Sequence, residues 1–215
     1  MKTSEARGAV AAAYRDLGRR GLIVGSSGNV SVRTHKGMVI TPSGGEPDRA
    51  GPDGMAATSL DGVAVGDATP SSEWSMHAAI YKMKPDALCI VHAHADACTA
   101  LASLHEGLPP FHYMVLHFGG SDIRCAPYVT FGTKALADLA ADALIDRTAC
   151  LLANHGMILH ARSVAAAVSD AILLETLCRQ YLLARSAGTP RLLTGEDIAA
   201  ARERFKTYGP WPARR

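Results

Sequence analysis

The 215-residue sequence has no apolar run approaching the 18 or so residues of a membrane span, so no transmembrane segment is expected. Its first thirteen residues, Met1 to Ala13, are small and charged and lack the continuous apolar core of a secretory signal. The five cysteines are odd in number, scattered and without a CxxC pair, which excludes both a disulfide framework and a zinc knuckle. They read as small core hydrophobes in a reducing compartment, and the cytoplasm is the expected location. Strong charge of one sign is also missing. A net charge of +2 gives no electrostatic case for nucleic acid or an anionic membrane as partner. No repeat, low-complexity tract or long linker divides the chain, so residues 1–215 are expected to form one domain. Nearly half of the residues are hydrophobic and a fifth are charged, which is enough apolar material for a substantial core.

Helices and short strands are expected to intermix. Apolar spacing predicts helices over 5–18, from Ser71 or Ser72 to Lys84, 95–104, 133–144, 164–187 and 194–205. Thr194 is a candidate cap, and Glu73 is placed in the first turn of its helix. Strands are expected at 30–33, 38–40, 63–65, 87–92, 113–116, 150–153 and 157–160. Tight turns between adjacent strands argue for antiparallel pairing with helices on the sheet faces.

The segment Ile90-Val91-His92-Ala93-His94 ends an apolar run with two histidines at i and i+2. On a strand these point to one face. The tripeptide alone is a modest signal. Cys150 to His155 repeats the pattern: an apolar run, then His155, then a glycine. Three histidines at strand ends make a zinc triad with an open position, the arrangement catalysis requires. Glu73 is the fourth candidate, and His77 lies one helical turn later. The ordinary reading of Glu73 is a helix-start carboxylate, and that of His77 a surface polar residue. His35, His105 and His160 carry no second signal.

Three small-residue turns, GSSGN, TPSGG and PSSE, offer hydroxyls and backbone N–H groups. None has P-loop or dinucleotide-fold spacing. Together they supply Ser26, Ser27, Gly28, Asn29, Ser43, Gly44, Ser71 and Ser72 as a cradle for a phosphate monoester without lysine.

The segments GSSGNVSVR, ITPSG, PSSEWSMH, VHAHAD, HYM, CAPYVTFGT, NHG and RFKTYG occur in that order from residue 25 to residue 209. As a set, they resemble the class II aldolase/adducin family, and within it the bacterial L-fuculose-1-phosphate aldolase branch. The resemblance implies a three-layer α/β/α fold with a central, mostly antiparallel sheet, assembled as a homotetramer with active sites at subunit interfaces. It implies a divalent metal, normally zinc, held by His92, His94 and His155; manganese or cobalt would suit the same ligands. Glu73 would be the acid/base and could also ligate the metal before substrate arrives. The phosphate loops fall on Ser26 to Asn29, Ser43-Gly44 and Ser71-Ser72. Tyr113 would reach in from a neighbouring subunit, and Tyr208 would come from the C-terminal segment.

The implied reaction cleaves a ketose 1-phosphate into dihydroxyacetone phosphate and an aldehyde. Zinc would act as Lewis acid, Glu73 would protonate the enediolate carbon, and Tyr113 would exchange the proton on the aldehyde oxygen. A carboxylate of pKa about 4 needs burial to become an effective base near neutrality. The sequence departs from the fuculose pattern at Val115-Leu116-His117-Phe118, where small residues are expected, and in its GPWPARR tail. Leu116 and Phe118 are expected either to line the aldehyde end or to pack a subunit interface. An aldehyde pocket of that kind would favour 5-deoxyribulose or 5-methylthioribulose 1-phosphate beside the fuculose substrate, and a role in salvage of by-products of S-adenosylmethionine chemistry. The alternatives are a family epimerase or sugar-phosphate decarboxylase, a thioribulose-phosphate dehydratase, or a non-catalytic adducin-like assembly module.

Overall fold

The computed structural model describes residues 1–207; Tyr208 and the GPWPARR tail lie outside the described residues. The chain runs α1 (Thr3–Arg19), β1 (Asn29–Thr34), β2 (Gly37–Ile40), β3 (Ala56–Thr58), β4 (Ala64–Val65), α2 (Trp74–Met83), β5 (Cys89–Ala93), α3 (Asp96–Ala102), β6 (Cys125–Ala126), α4 (Lys134–Ala143), β7 (Ala149–Leu152), β8 (Gly156–Ala161), α5 (Val164–Ala187) and α6 (Gly195–Phe205). The eight strands form one sheet in the order β4-β3-β2-β1-β5-β8-β7-β6. Every pairing is antiparallel except that of the short edge strand β6 with β7.

The sheet has helices on both faces, because its central strands are buried at every position or nearly so. Val30, Val32, Val91 and Leu159 face a cluster completed by Val10, Leu17, Leu101, Leu174 and Cys178 of α1, α3 and α5. Ile40, Ile90, Cys150 and Ile158 face the other cluster, with Met76 and Ile80 of α2 and Leu136 and Ala140 of α4. This is the expected three-layer α/β/α arrangement with a mostly antiparallel sheet. Among the described residues, no helix is long and apolar enough to cross a membrane.

Several local expectations hold closely. Helix α5 spans the expected residues, and Thr194 caps α6 in a reciprocal box with Asp197. Others do not. Tyr113–Phe118 is a 3-10 helix rather than a strand, and the His112 side chain caps it by accepting from the Met114 N–H at 3.1 Å. Strands β3 and β6, three and two residues long, carry too little alternation to be read in advance. Helix α2 starts at Trp74, one residue beyond Glu73. Neither Ser71 nor Ser72 occupies its cap position, although Ser71 Oγ accepts from the Glu73 N–H at 3.3 Å.

Candidate metal centre and substrate cleft

The site forms where β1, β5 and β8 run side by side. Asn29 opens β1 directly opposite His92 on β5, and Ala93 lies opposite Met157 on β8. His92 shares the sheet face of Ile90, and His94, two residues on, returns to that face. Their Nε2 atoms stand 3.0 Å apart. His155 arrives differently from expectation. Strand β7 stops at Leu152, and His155 sits in the turn to β8, after Asn154 in the left-handed region at φ 52°. A side chain at Gly156 would clash with Ala93 O at 2.5 Å, so glycine lets the turn close against β5 and His94. The three rings form a near-equilateral propeller, with centroids 4.7 to 4.9 Å apart and planes inclined by 70 to 74°.

Glu73, just ahead of α2 and almost fully buried, turns its carboxylate into this group instead of capping the helix. Its Oε2 lies 3.1 Å from His92 Nε2, and Oε1 lies 3.3 Å from His155 Nε2. The Asn29 amide donates to Oε2 at 2.9 Å and to Ser71 Oγ at 3.1 Å. Burial pushes the Glu73 carboxyl upward, but the charge that His92 carries when protonated, and the hydrogen bonds that His155 and His92 then donate, outweigh it and hold the carboxyl below the usual range. His94 is depressed to about 4 by burial and then by the neighbouring imidazoles.

The donor chemistry fits a cation. His92 Nδ1 lies 2.8 Å from Met157 O, which can only accept, so Nδ1 keeps its proton and, in the neutral ring, Nε2 offers a lone pair. That lone pair faces His94 Nε2 and a carboxylate oxygen at contact distance, and Glu73 Oε1 likewise faces His155 Nε2 at 3.3 Å. Lone pairs crowd together in this way around a positive centre. His92, His94 and His155 present ligand atoms within 4.8 Å of one another.

A cleft of about 330 Å³ opens beside this group. All eight residues of the expected phosphate cradle line it, together with Glu73, His94 and His155. Gly28 approaches β5 so closely, at φ 96°, that a Cβ would lie 2.8 Å from His92 O. This contact sets the 26–29 turn against the histidines. The Pro42–Pro70 bridge brings the other two turns together. Among the described residues no Lys or Arg lines the cleft, so an anion there would meet neutral donors. Two cradle residues are already engaged. Ser27 donates both its N–H and its O–H to Val24 O, and the Asn29 side chain serves Glu73 and Ser71.

The remaining expectations separate. Tyr113 does not line the cleft of its own chain; it is half exposed, stacks on His112 and lies near Phe205. Leu116 and Phe118 do not line the cleft either. Both are buried in their own chain, Phe118 completely and within the core, which corrects the aldehyde-pocket expectation for Phe118. The apolar wall is instead Tyr128, Val129 and Phe131, with Tyr128 and Phe131 exposed. Sequence reasoning gave these no role, although an aromatic pair just before the Thr133 helix cap is a readable signal. His77 is not a surface residue: it is fully buried and hydrogen-bonded on both nitrogens.

Comparison with known proteins agrees with this geometry. The family model described as the class II aldolase and adducin N-terminal domain matches residues 8–182. A 5-methylthioribulose-1-phosphate/5-deoxyribulose-1-phosphate aldolase of Rhodospirillum rubrum is 41% identical over 197 residues, covering 92% of this chain and 89% of the relative. An L-fuculose phosphate aldolase of Escherichia coli is 40% identical over 195 residues, covering 90% and 91%. A solved L-fuculose 1-phosphate aldolase superposes with a TM-score of 0.90 at 36% identity, covering 96% of this chain and 98% of that one. The chain belongs to the class II aldolase and adducin family, among its metal-dependent aldehyde-lyases.

Proposed function

We propose that the chain works as a single catalytic domain that cleaves a ketose 1-phosphate into dihydroxyacetone phosphate and an aldehyde, with a divalent metal, normally zinc, on His92, His94 and His155. The observation that carries this reading is the convergence of three imidazoles and the Glu73 carboxylate at one end of a serine- and glycine-lined cleft that has no cationic side chain among the described residues. Neutral donors of Ser26, Gly28, Ser43, Gly44, Ser71 and Ser72 hold the phosphate, and this fixes which carbons lie beside the histidines. Ser27 joins them by exchanging its bond to Val24 O for one to the phosphate. A bound metal supplies Lewis-acid stabilisation of the charge that develops on the substrate carbonyl oxygen.

Glu73 exchanges the proton at the carbon where the C–C bond breaks. Its two oxygens divide the work: Oε2 is held by Asn29, while Oε1, which no amide holds, takes and returns the proton once substrate has parted it from His155. Substrate entry separates the carboxylate from the imidazoles and removes the influence that depresses its pKa, so burial then raises it toward the working range. Tyr113, exposed and outside its own cleft, serves a neighbouring copy by proton exchange at the aldehyde oxygen, in a homotetramer whose sites lie at subunit interfaces. Tyr208 contributes a second catalytic tyrosine, as the family resemblance implies. The protein acts in the cytoplasm.

The Tyr128–Val129–Phe131 wall suits an aldehyde end less polar than that of fuculose 1-phosphate, which favours 5-deoxyribulose and 5-methylthioribulose 1-phosphates and a salvage role. The complete set of three histidines and Glu73 argues against a non-catalytic assembly module. The test is a coupled assay of dihydroxyacetone phosphate release from fuculose, ribulose, 5-deoxyribulose and 5-methylthioribulose 1-phosphates, with and without a chelator. Chelator-sensitive release, best on the 5-deoxy or 5-methylthio substrate, is expected. No release from any of the four by the metal-loaded protein would move the assignment to an epimerase or decarboxylase.

A further inference from the structure

Behind the cleft, a buried hydrogen-bond chain links Glu73 to the sheet interior, and its polarity follows from one end. A carboxylate only accepts, so Asn29 must turn its amide nitrogen toward Glu73 Oε2 and Ser71 Oγ. That leaves Asn29 Oδ1 facing His77 Nε2 at 2.5 Å, and Nε2 must donate. Burial lowers the His77 pKa to about 3, so the ring is neutral and its Nδ1 accepts. Ser31 Oγ, 2.7 Å from Nδ1, is then the donor there, and it accepts in turn from the Tyr81 hydroxyl at 2.9 Å. Every donor in the chain points toward Glu73, and Asn29, Ser31 and His77 are almost or wholly buried.

We propose that His77 is a positioning residue for the acid/base: by donating Nε2–H to Asn29 Oδ1 it locks the Asn29 amide in the one orientation that holds Glu73 Oε2. This rests on the role given to Glu73 under Proposed function. An Asn29 amide released from His77 could flip and present oxygen to the carboxylate, which would drive Glu73 away from its working position.

Two polar replacements separate positioning from packing. Glutamine places its amide nitrogen near the imidazole Nε2 position and keeps the donor to Asn29. Asparagine reaches only the Ser31 side. His77→Asn is expected to lower kcat by about 10- to 100-fold, the range for groups that orient catalytic ligands, with KM changed less than about 3-fold. His77→Gln is expected to recover most of that loss. The two variants should match in melting temperature, which circular dichroism checks. Equal losses in both, or a kcat for His77→Asn within about 3-fold of the unsubstituted protein, would overturn the proposal. Nitrogen-15 NMR of histidine-labelled protein gives a readout independent of activity and of how well the variants fold. The Nε2–H tautomer of His77 is expected; the Nδ1–H tautomer would overturn the proposal. Should the unsubstituted protein cleave no ketose 1-phosphate, the functional reading fails, while the tautomer still decides the polarity of the chain.

Discussion

His92 and His77 are both fully buried, lie on the same side of the sheet, and touch opposite ends of one small group of polar side chains. Their surroundings differ in one respect. Each nitrogen of His77 meets a protein group of complementary polarity, Asn29 Oδ1 on one side and Ser31 Oγ on the other. His92 satisfies one nitrogen on Met157 O and turns the other toward lone pairs. A buried imidazole with two matched partners is held in one tautomer and orients its neighbours. A buried imidazole with one matched partner and a crowd of acceptors is half of a cation site. Burial does not distinguish the two; the count of matched partners does.

The comparison can be broken most severely on its His92 side. His92→Ala or His94→Ala should abolish metal retention, measured by elemental analysis after gel filtration, and lower kcat/KM by about 10³-fold or more if the metal carries the charge stabilisation expected of it. Glu73→Gln should keep the metal and lose turnover by about 10²- to 10⁴-fold, because the amide neither takes nor returns the proton. Metal retained with full turnover in that variant would remove Glu73 from the mechanism. Chelation without mutation should lower thermal stability by about 2.7 kcal/mol relative to protein with free metal at 100 times its dissociation constant, read by calorimetry with and without added zinc.

The His77 side is tested by pH. The depressed pKa of His77, about 3 in the folded chain, means that the unfolded chain binds the proton first as pH falls. Its stabilising effect is therefore present above the unfolded value of about 6.5 and is lost on descending from there toward 3. Denaturant titrations of the metal-free protein should show His77→Gln with a shallower dependence in that window, by about 1.4 kcal/mol per pH unit. Equal slopes would mean that His77 is charged in the native chain. The smallest effect is expected from Ser71→Ala, which removes one acceptor of the Asn29 amide and one phosphate donor. KM for the sugar phosphate should rise about 5- to 20-fold, by about 1 to 1.8 kcal/mol, with kcat little changed in steady-state assays.

Much of the metal centre was legible because a strand alternates its faces. His92 and His94 at i and i+2 had to share one, and His155 repeated the motif at the end of a second apolar run. The turn that delivers His155 was less so, since the left-handed Asn154 shortens β7 by a residue relative to the apolar pattern. Helix α5 was readable to its ends because Ser163 caps it and Gly188 stops it. The Tyr113–Phe118 turn looked like a strand because its apolar residues are as dense as a strand's; the His112 side-chain cap that curls it is a local bond without a periodic signature. His77 could not be read at all. Its partners Ser31 and Asn29 are 46 and 48 residues away in sequence, and only the β1–α2 contact makes it interior. The same holds for Leu116 and Phe118, whose placement in their own core depends on how the 3-10 turn is rotated.

The register of the central strands ties these observations together. Asn29 meets His92 only if β1 and β5 pair without slippage, and His155 is brought beside His94 only if β8 pairs with β5 at Ala93–Met157. A slip of one residue on any of these strands would turn its side chains to the opposite face. The cation site is thus a proofreader of assembly. A misregistered sheet would still be compact and still bury its valines and isoleucines, yet it would have no coordination sphere. Metal uptake during refolding would report the completion of pairings that span some sixty residues of chain, since only the correctly registered sheet brings the three histidines together.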